Sequence, residues 1–323
     1  MSTGSLLEEA FDANASGYPE VVAARTPTQL LWRRLRRDRL AMVSLAFIIF
    51  LVFIAVFAPL IVSLIGAPEP NVMNSSLLNS FGNPSGPSSA HWLGVDGLGR
   101  DVLSRTIYGT RVALEVALIS SAIAMLLGVV AGLLSGYFRG PVDTGISRLV
   151  DVLLAFPVLL LAIGLASACS LGNGCLGGAI QPGLGTVIAV IAIVSWTYPA
   201  RLIRGQVLSL REKEFVEAAR SLGASNARII FREILPNLVG PMIVYATLII
   251  PTAILFEAAL SFLGIGVSPS TPSWGAMISD ATTTFDTAWW YMVAPGVALL
   301  LTVLAFNLLG DGLSDALNPR SED

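Results

Sequence analysis

Long runs without a charged residue divide the chain. Leu40–Pro68, Val116–Phe138, Val152–Ala200, Ile234–Phe256 and Thr287–Gly310 are all uncharged. A helix needs about 20 mostly apolar residues to cross the hydrocarbon core of a bilayer, and the run 152–200 has room for two such crossings. Its Gly-rich, polar middle, 168–185, is the natural break. The pattern therefore predicts an all-α membrane protein of six transmembrane helices, at about 41–65, 112–138, 146–167, 184–204, 238–265 and 288–310. The rest divides into a tail over 1–40, a loop over 66–107, a long loop over 205–236 and a tail over 313–323.

Basic residues orient the spans, because short cytosolic loops carry excess Lys and Arg. Arg25, Arg33, Arg34, Arg36, Arg37 and Arg39 precede the first span, and Arg139 and Arg148 flank the turn after the second. Arg201, Arg204, Arg211, Lys213, Arg220, Arg228 and Arg232 lie between spans four and five. Arg100, Arg105 and Arg111 break the pattern, offset by Asp96 and Asp101. The best fit places both termini in the cytosol and 66–107 outside. Trp289, Trp290 and Tyr291 then fall at the outer start of span six, and Trp196 and Tyr198 near the inner end of span four, where amphipathic rings are favoured. Gly128, Gly132 and Gly136 recur every fourth residue, giving one helix face that admits close approach.

Composition agrees with a membrane protein. Charged residues are 13% and apolar ones 54% of the 323 positions, with a mean hydropathy of +0.74, against roughly 25% charged in soluble domains. One histidine, His91, one lysine, Lys213, and two cysteines leave no set for a catalytic histidine pair, a metal site or a Schiff base. His91 reads as a loop-packing residue. Cys169 and Cys175 share a Gly-rich loop on the oxidising side, where a local disulfide is a candidate. The first 39 residues hold Glu8, Glu9, Asp12 and Glu20, then a dense run of arginines, and no apolar signal region, predicting a loosely held cytosolic tail.

The loop 205–236 carries the most information. Val207–Leu222 reads as an amphipathic helix with Lys213 and Glu217 four apart as a surface pair. Gly223 stands where a helix C-cap favours glycine. A second short helix, Asn226–Ile234, leads to Pro236, placed to start span five. Such an elbow suits insertion into a partner's cleft, with Ala218 and Ala219 allowing approach; an interfacial helix lying on lipid headgroups is the alternative.

Glu217-Ala218-Ala219-Arg220-Ser221-Leu222-Gly223, ending in Ile234-Leu235-Pro236-Asn237, resembles the EAA motif of ABC importer permeases, with Glu233 where that family usually carries histidine. The segment His91–Arg105 is similar to the HxLGxDxLGRDVxSR block of the C-type permease of dipeptide, oligopeptide and nickel importers. So are Glu257–Gly264, Pro272–Met277 and Gly310–Leu317. The resemblance implies an ABC type-1 importer permease fold over 108–312, preceded by an extra span, in a bacterial plasma (inner) membrane. It implies a coupling helix at Glu217–Gly223 resting on an ATPase subunit, a homologous second permease, two ABC ATPases and an extracytoplasmic substrate-binding protein. No nucleic acid is implied. ATP and Mg would be used by the partner subunits, since no GxxxxGK[ST] loop exists here, and the chain itself would have no cofactor and no catalytic residue. Peptides are the expected cargo, with nickel chelates or another small solute as alternatives.

An ion-coupled secondary transporter is the competing class, and it needs ionisable groups near the midplane. Glu115 and Glu257 are the candidates, both toward span ends. Glu257 could line the translocation path or brace span five against the outer loop. Pro251 could hinge that span.

Overall fold

The computed structural model describes residues 27–170, 174, 178 and 180–317, with side chains from residue 31. The N-terminal tail up to residue 26, Cys175 and the C-terminal six residues lie outside that set. Every long element among the described residues is helical. Two isolated bridges, Leu78–Pro84 and Val95–Asp101, pin turns in the 66–101 loop. Five helices are long and apolar enough to cross a membrane, and one bent pair makes a sixth crossing if counted as a single span.

A short helix α1, Pro27–Leu35, precedes α2, Arg39–Leu64. The Asp38 carboxylate caps α2 by accepting from the Leu40 and Ala41 amides at 2.9 and 3.1 Å. The buried residues of α2 are Ala41, Ser44, Ile48, Leu51, Ala55, Ala58 and Val62, a single seam of alternating three- and four-residue steps. Its other faces are apolar and exposed, as a lipid-facing helix requires. With no hydrophobic drive between helices in lipid, small residues in such a seam bring backbones together.

Helix α3, Val102–Phe138, is the central element. At 37 residues it is about 55 Å long, and it begins ten residues before the expected 112. Charges at 105, 111 and 115 suggested a boundary there, but Arg105 is buried in an ion-pair cluster and Arg111 pairs with Glu115 at 2.8 Å. Neutralised in this way, they do not end the helix.

The third span is not the straight helix expected over 146–167. It consists of α4, Gly140–Ala155, and α5, Val158–Ser170, bent by 91°. Pro157 is the cause: proline pushes the preceding residue out of the α region, and Phe156 has φ −85° and ψ 142°. The fourth span is α6, Leu184–Ser195, continued by α7, Thr197–Leu210, past the expected end at 204.

Helix α7 lies on the glycine face of α3. A Cβ built on Gly128 would come within 2.6 Å of Pro199 Cβ, on Gly132 within 2.7 Å of Ile203 Cβ, and on Gly136 within 2.7 Å of Val207 Cβ. Only glycine allows this approach.

Two further departures concern the elbow. Val207–Leu222 is not one helix: α7 ends at Leu210, and α8, Glu214–Ser221, follows a turn. Nor is Asn226–Ile234 a separate helix: it runs without a break into span five as helix α9, Asn226–Phe262. A π turn covers Ile229–Ile234, and the regular α-helix begins at Leu235 with Pro236 in its first turn, as expected. The wider turn accommodates a residue that has no N–H to donate and whose ring crowds the preceding turn.

Helix α10, Trp274–Ala281, caps the far end of the bundle, and α11, Trp289–Leu317, completes it. The last helix extends through the stretch 313–317 expected as tail. Gly312 sits so close to α2 that a Cβ would meet Ala41 Cβ at 2.5 Å.

Candidate functional site

At one end of the bundle the elbow protrudes from a braced base. Helix α8 starts after Lys213, with Glu214 and Glu217 in its first turn and Arg220 in its last, the charge order a helix dipole favours. It ends in a Schellman arrangement: the Ala224 amide donates to Ala219 O at 3.1 Å and the Gly223 amide to Arg220 O at 2.9 Å. Gly223 has φ +77° and open space around its Cβ position, so backbone conformation, not crowding, is what favours glycine there.

One side chain of α8, Val216, is fully buried, in the cluster of Ile203, Val207, Ile229, Ile230 and Ile234. Ala219 is half-buried against the same cluster, while Glu217, Ala218, Gly223 and Pro236 are exposed. Leu222 is 88% exposed and Phe231 64%. Lys213 and Glu217, expected as a surface pair, make no ion pair, and Arg220, Arg228, Arg232 and Glu233 are likewise unpaired among the described residues. The elbow presents free charges around three exposed apolar side chains, the third being Phe215 of α8.

Its base, in contrast, is tied down. Arg211 donates to the Tyr137 carbonyl and lies over the Tyr137 ring, and the Tyr137 hydroxyl bonds Asn226 Oδ1 at 2.8 Å. Arg139 meets Glu212 at 2.7 Å. Arg204 grips Asp143 with two bonds of 2.6 and 2.8 Å, and Arg201 meets Asp151 at 2.6 Å, joining α7 to α4. A push on α8 is thereby passed to α3, α4 and α9 rather than absorbed in a slack loop.

Between α5, the α6–α7 junction and α9 lies a cavity of about 510 Å³. Val158, Val194, Ser195 and Tyr198 form one wall, and Tyr245, Leu248, Ile249, Thr252 and Phe256 the other. The second wall is one stripe of α9 at helical spacing. Glu257 and Pro251, proposed from sequence as path residues, are not on it. Both are buried on other faces of α9. Glu257 Oε1 accepts hydrogen bonds from Ser261 and Ser273 hydroxyls, each at 2.8 Å, and Ser273 also caps α10. This carboxylate braces α9 against α10. Apolar residues on a membrane helix do not by themselves show which face lines a cavity; the hydroxyls of Tyr245 and Thr252 are the signal in the sequence. Tyr198, expected near the inner interface, is exposed and also lines this cavity.

At the opposite end, the 91–105 segment folds over the bundle around Asp96. Its carboxylate accepts from Arg100 Nε at 2.6 Å and from the Leu98 and Arg100 amides at 2.9 and 3.0 Å, with Arg105 Nε at 3.6 Å. Asp96, Arg100 and Arg105 are all buried. His91 Nδ1 lies 2.8 Å from Asp101 Oδ2, and Asp101 caps α3 through the Ser104 amide. Tyr291 is buried and bonds Asp280 at 3.2 Å, while Trp290 reaches Val95 O at 3.4 Å. Of the three aromatics expected to anchor in the interface, only Trp289 is exposed. Cys169, near the end of α5, is not a free thiol; its pairing with Cys175 falls outside the described residues.

A braced elbow beneath a half-open cavity, on a bundle of membrane-crossing helices, defines a membrane permease. Residues 128–323 match the model of the binding-protein-dependent transport system inner membrane component, and residues 26–76 match the N-terminal TM domain of oligopeptide transport permease C. The dipeptide transport system permease protein of Alkalihalophilus pseudofirmus is 41% identical over 297 residues, covering 92% of this chain and 91% of its own length. The glutathione transport system permease protein of Escherichia coli O157:H7 is 43% identical over 298 residues, covering 92% and 91%. Among solved structures, the MetNI methionine ABC transporter in an inward facing conformation shares the fold, with a TM-score of 0.54 at 19% identity over 67% of this chain and 96% of that one. The chain belongs to the binding-protein-dependent transport system inner membrane component family. It is a multi-pass permease subunit of an ABC importer, not an enzyme, which settles the choice against ion-coupled transport.

Proposed function

We propose that this permease forms half of the translocation path for di- and oligopeptides, alternating between inward- and outward-facing states with a homologous second permease. Of two ABC ATPases, which use ATP and Mg, one docks on Glu217, Ala218, Ala219, Gly223 and the exposed ring of Pro236. A substrate-binding protein delivers cargo at the Asp96 end. Both termini and the elbow are cytosolic, and the membrane is the bacterial inner membrane. The observation that carries the reading is the elbow: exposed, with unpaired charges, on a base pinned to three membrane helices. An interfacial helix lying on headgroups needs no such bracing.

Gly223→Val forces a β-branched residue into φ +77°, a conformation costing about 1–2 kcal/mol for L-residues. Uptake per ATP hydrolysed by the reconstituted complex is expected to fall about tenfold, while Gly223→Asn, tolerated in this conformation, retains most of it. Undiminished coupled uptake in the valine variant would remove the elbow from the mechanism.

Peptide cargo is supported by the relatives, whose names specify dipeptides and glutathione, and by the cavity's mix of aromatic, aliphatic and hydroxyl walls. Substrate-stimulated ATPase activity of the reconstituted complex is expected with di- and tripeptides. Stimulation by nickel chelates alone would reassign the cargo and leave the permease reading intact.

A further inference from the structure

The elbow is not the only charged surface at its end of the bundle. Gly240, about four turns into α9, faces Leu317 at the end of α11, and α11 in turn carries α1 on its last turns. Leu31 and Leu35 hold α1 there against Ala41 and Ala316, and Arg34 donates to Ala316 O at 3.5 Å. The opposite side of α1 and its junction with α2 present Arg33, Arg36, Arg37 and Arg39, all exposed. None of the four has a carboxylate within 4.0 Å among the described residues. The nearest acid in sequence, Asp38, is already engaged in capping α2.

Depth in the bilayer follows from the adjoining helix. From Leu40 to Leu64, α2 exposes apolar side chains along its outer faces. Its 26 residues, kinked at Phe57 ahead of Pro59, are enough to cross the roughly 30 Å hydrocarbon core. The charges at Asp38 and Arg39 put its first turn at the headgroup layer, and the four arginines lie within two turns of it. Trp32, half-exposed, lies under the Arg36 guanidinium at 4.8 Å from its ring centroid. That pairing suits an interfacial position: the indole sits at the headgroup boundary and orients the cation above it. Guanidinium groups meet phosphate oxygens through paired hydrogen bonds.

We propose that Arg33, Arg36, Arg37 and Arg39 form a collar that binds the phosphates of anionic phospholipids in the leaflet on the elbow side. The collar is rigidly attached. Gly312 of α11 lies in van der Waals contact with Ala41 and within reach of Asp38, so lipid held at the collar steadies the end of α11 beside the elbow.

The test uses the intact complex in phosphatidylcholine nanodiscs doped with spin-labelled phosphatidylglycerol or spin-labelled phosphatidylcholine. The wild type is expected to hold the anionic probe at least about fivefold more strongly, the factor one arginine supplies at an anionic surface. Raising salt from about 0.05 to about 0.5 M should erode that preference, since the groups are exposed. The R33Q/R36Q/R37Q/R39Q variant is expected to lose the preference, and the matching four-lysine variant to keep part of it. Failure of the wild type to discriminate the probes, or a preference surviving in the glutamine variant, overturns the collar. So does loss of the ATPase subunits from the glutamine variant in purely zwitterionic discs, which would mark an acidic protein surface as the occupant. Should the glutamine variant not assemble, a salt-insensitive preference in the wild type overturns it equally. Lipid selectivity is read without ATP or cargo, so its failure leaves the transport reading untouched.

Discussion

Replacing Asp96 by alanine is expected to lower the stability of the purified permease by about 3–5 kcal/mol, the cost of stranding a buried partner of opposite charge. Asp96 is fully buried and serves two buried guanidinium groups, Arg100 at 2.6 Å and Arg105 at 3.6 Å, besides two backbone amides. Without it, Arg100 keeps only a contact of 3.9 Å to the exposed Asp280, and Arg105 keeps the Pro70 carbonyl and the Asn71 side chain. Glu115→Ala is the control, because its pair with Arg111 is solvent-accessible and such pairs contribute about 0–1 kcal/mol. Thermal unfolding in detergent reads both. Equal shifts for the two variants would mean that the Asp96 cluster does not hold this end of the bundle together.

A leucine at Gly132 tests the helix contact on which everything else is mounted. A Cβ there already comes within 2.7 Å of Ile203 Cβ and 2.8 Å of Ala200 O, and leucine adds three more carbons. Neither α3 nor α7 can retreat, since Gly128 and Gly136 make equally close contacts one turn away on each side. Overpacking of this kind costs about 1–3 kcal/mol, and the displacement also loosens Arg204 from Asp143. Gly164, on α5, has open space around it, and Gly164→Leu should leave the melting temperature unchanged or slightly raised through better helix propensity. Indistinguishable melting curves for the two leucine variants would show that the α3–α7 contact is looser than these distances imply.

Much of this architecture was legible in the hydropathy pattern. A chain in hydrocarbon must satisfy its backbone groups within each segment, so uncharged runs of sufficient length become helices whatever surrounds them. The glycine face of α3 was equally readable, because three Cβ-less positions four apart share one side of any helix. The C-cap at Gly223 is local too: it depends on one residue's freedom to adopt positive φ. Pro157 could have announced the bend, since a proline biases its predecessor away from α. Within a long apolar run that bias was outweighed, and the 91° turn between α4 and α5 went unread.

What the sequence by itself determined is therefore the set of apolar spans, the faces that admit close packing and the elbow with its glycine cap. Each of these follows from short-range rules about burial, periodicity and backbone freedom. Only the tertiary structure decided which charges are neutral in effect. Arg100 and Arg105 look like breaches of the charge bias until Asp96 is seen to hold them, and Arg204 finds Asp143 across 61 residues of chain. Only the structure, likewise, showed that the stripe of Tyr245, Thr252 and Phe256 on α9 lines a cavity, while Glu257 and Pro251 are buried on other faces of that helix. Apolar side chains face lipid and lumen alike, and which one they meet depends on the neighbouring helices.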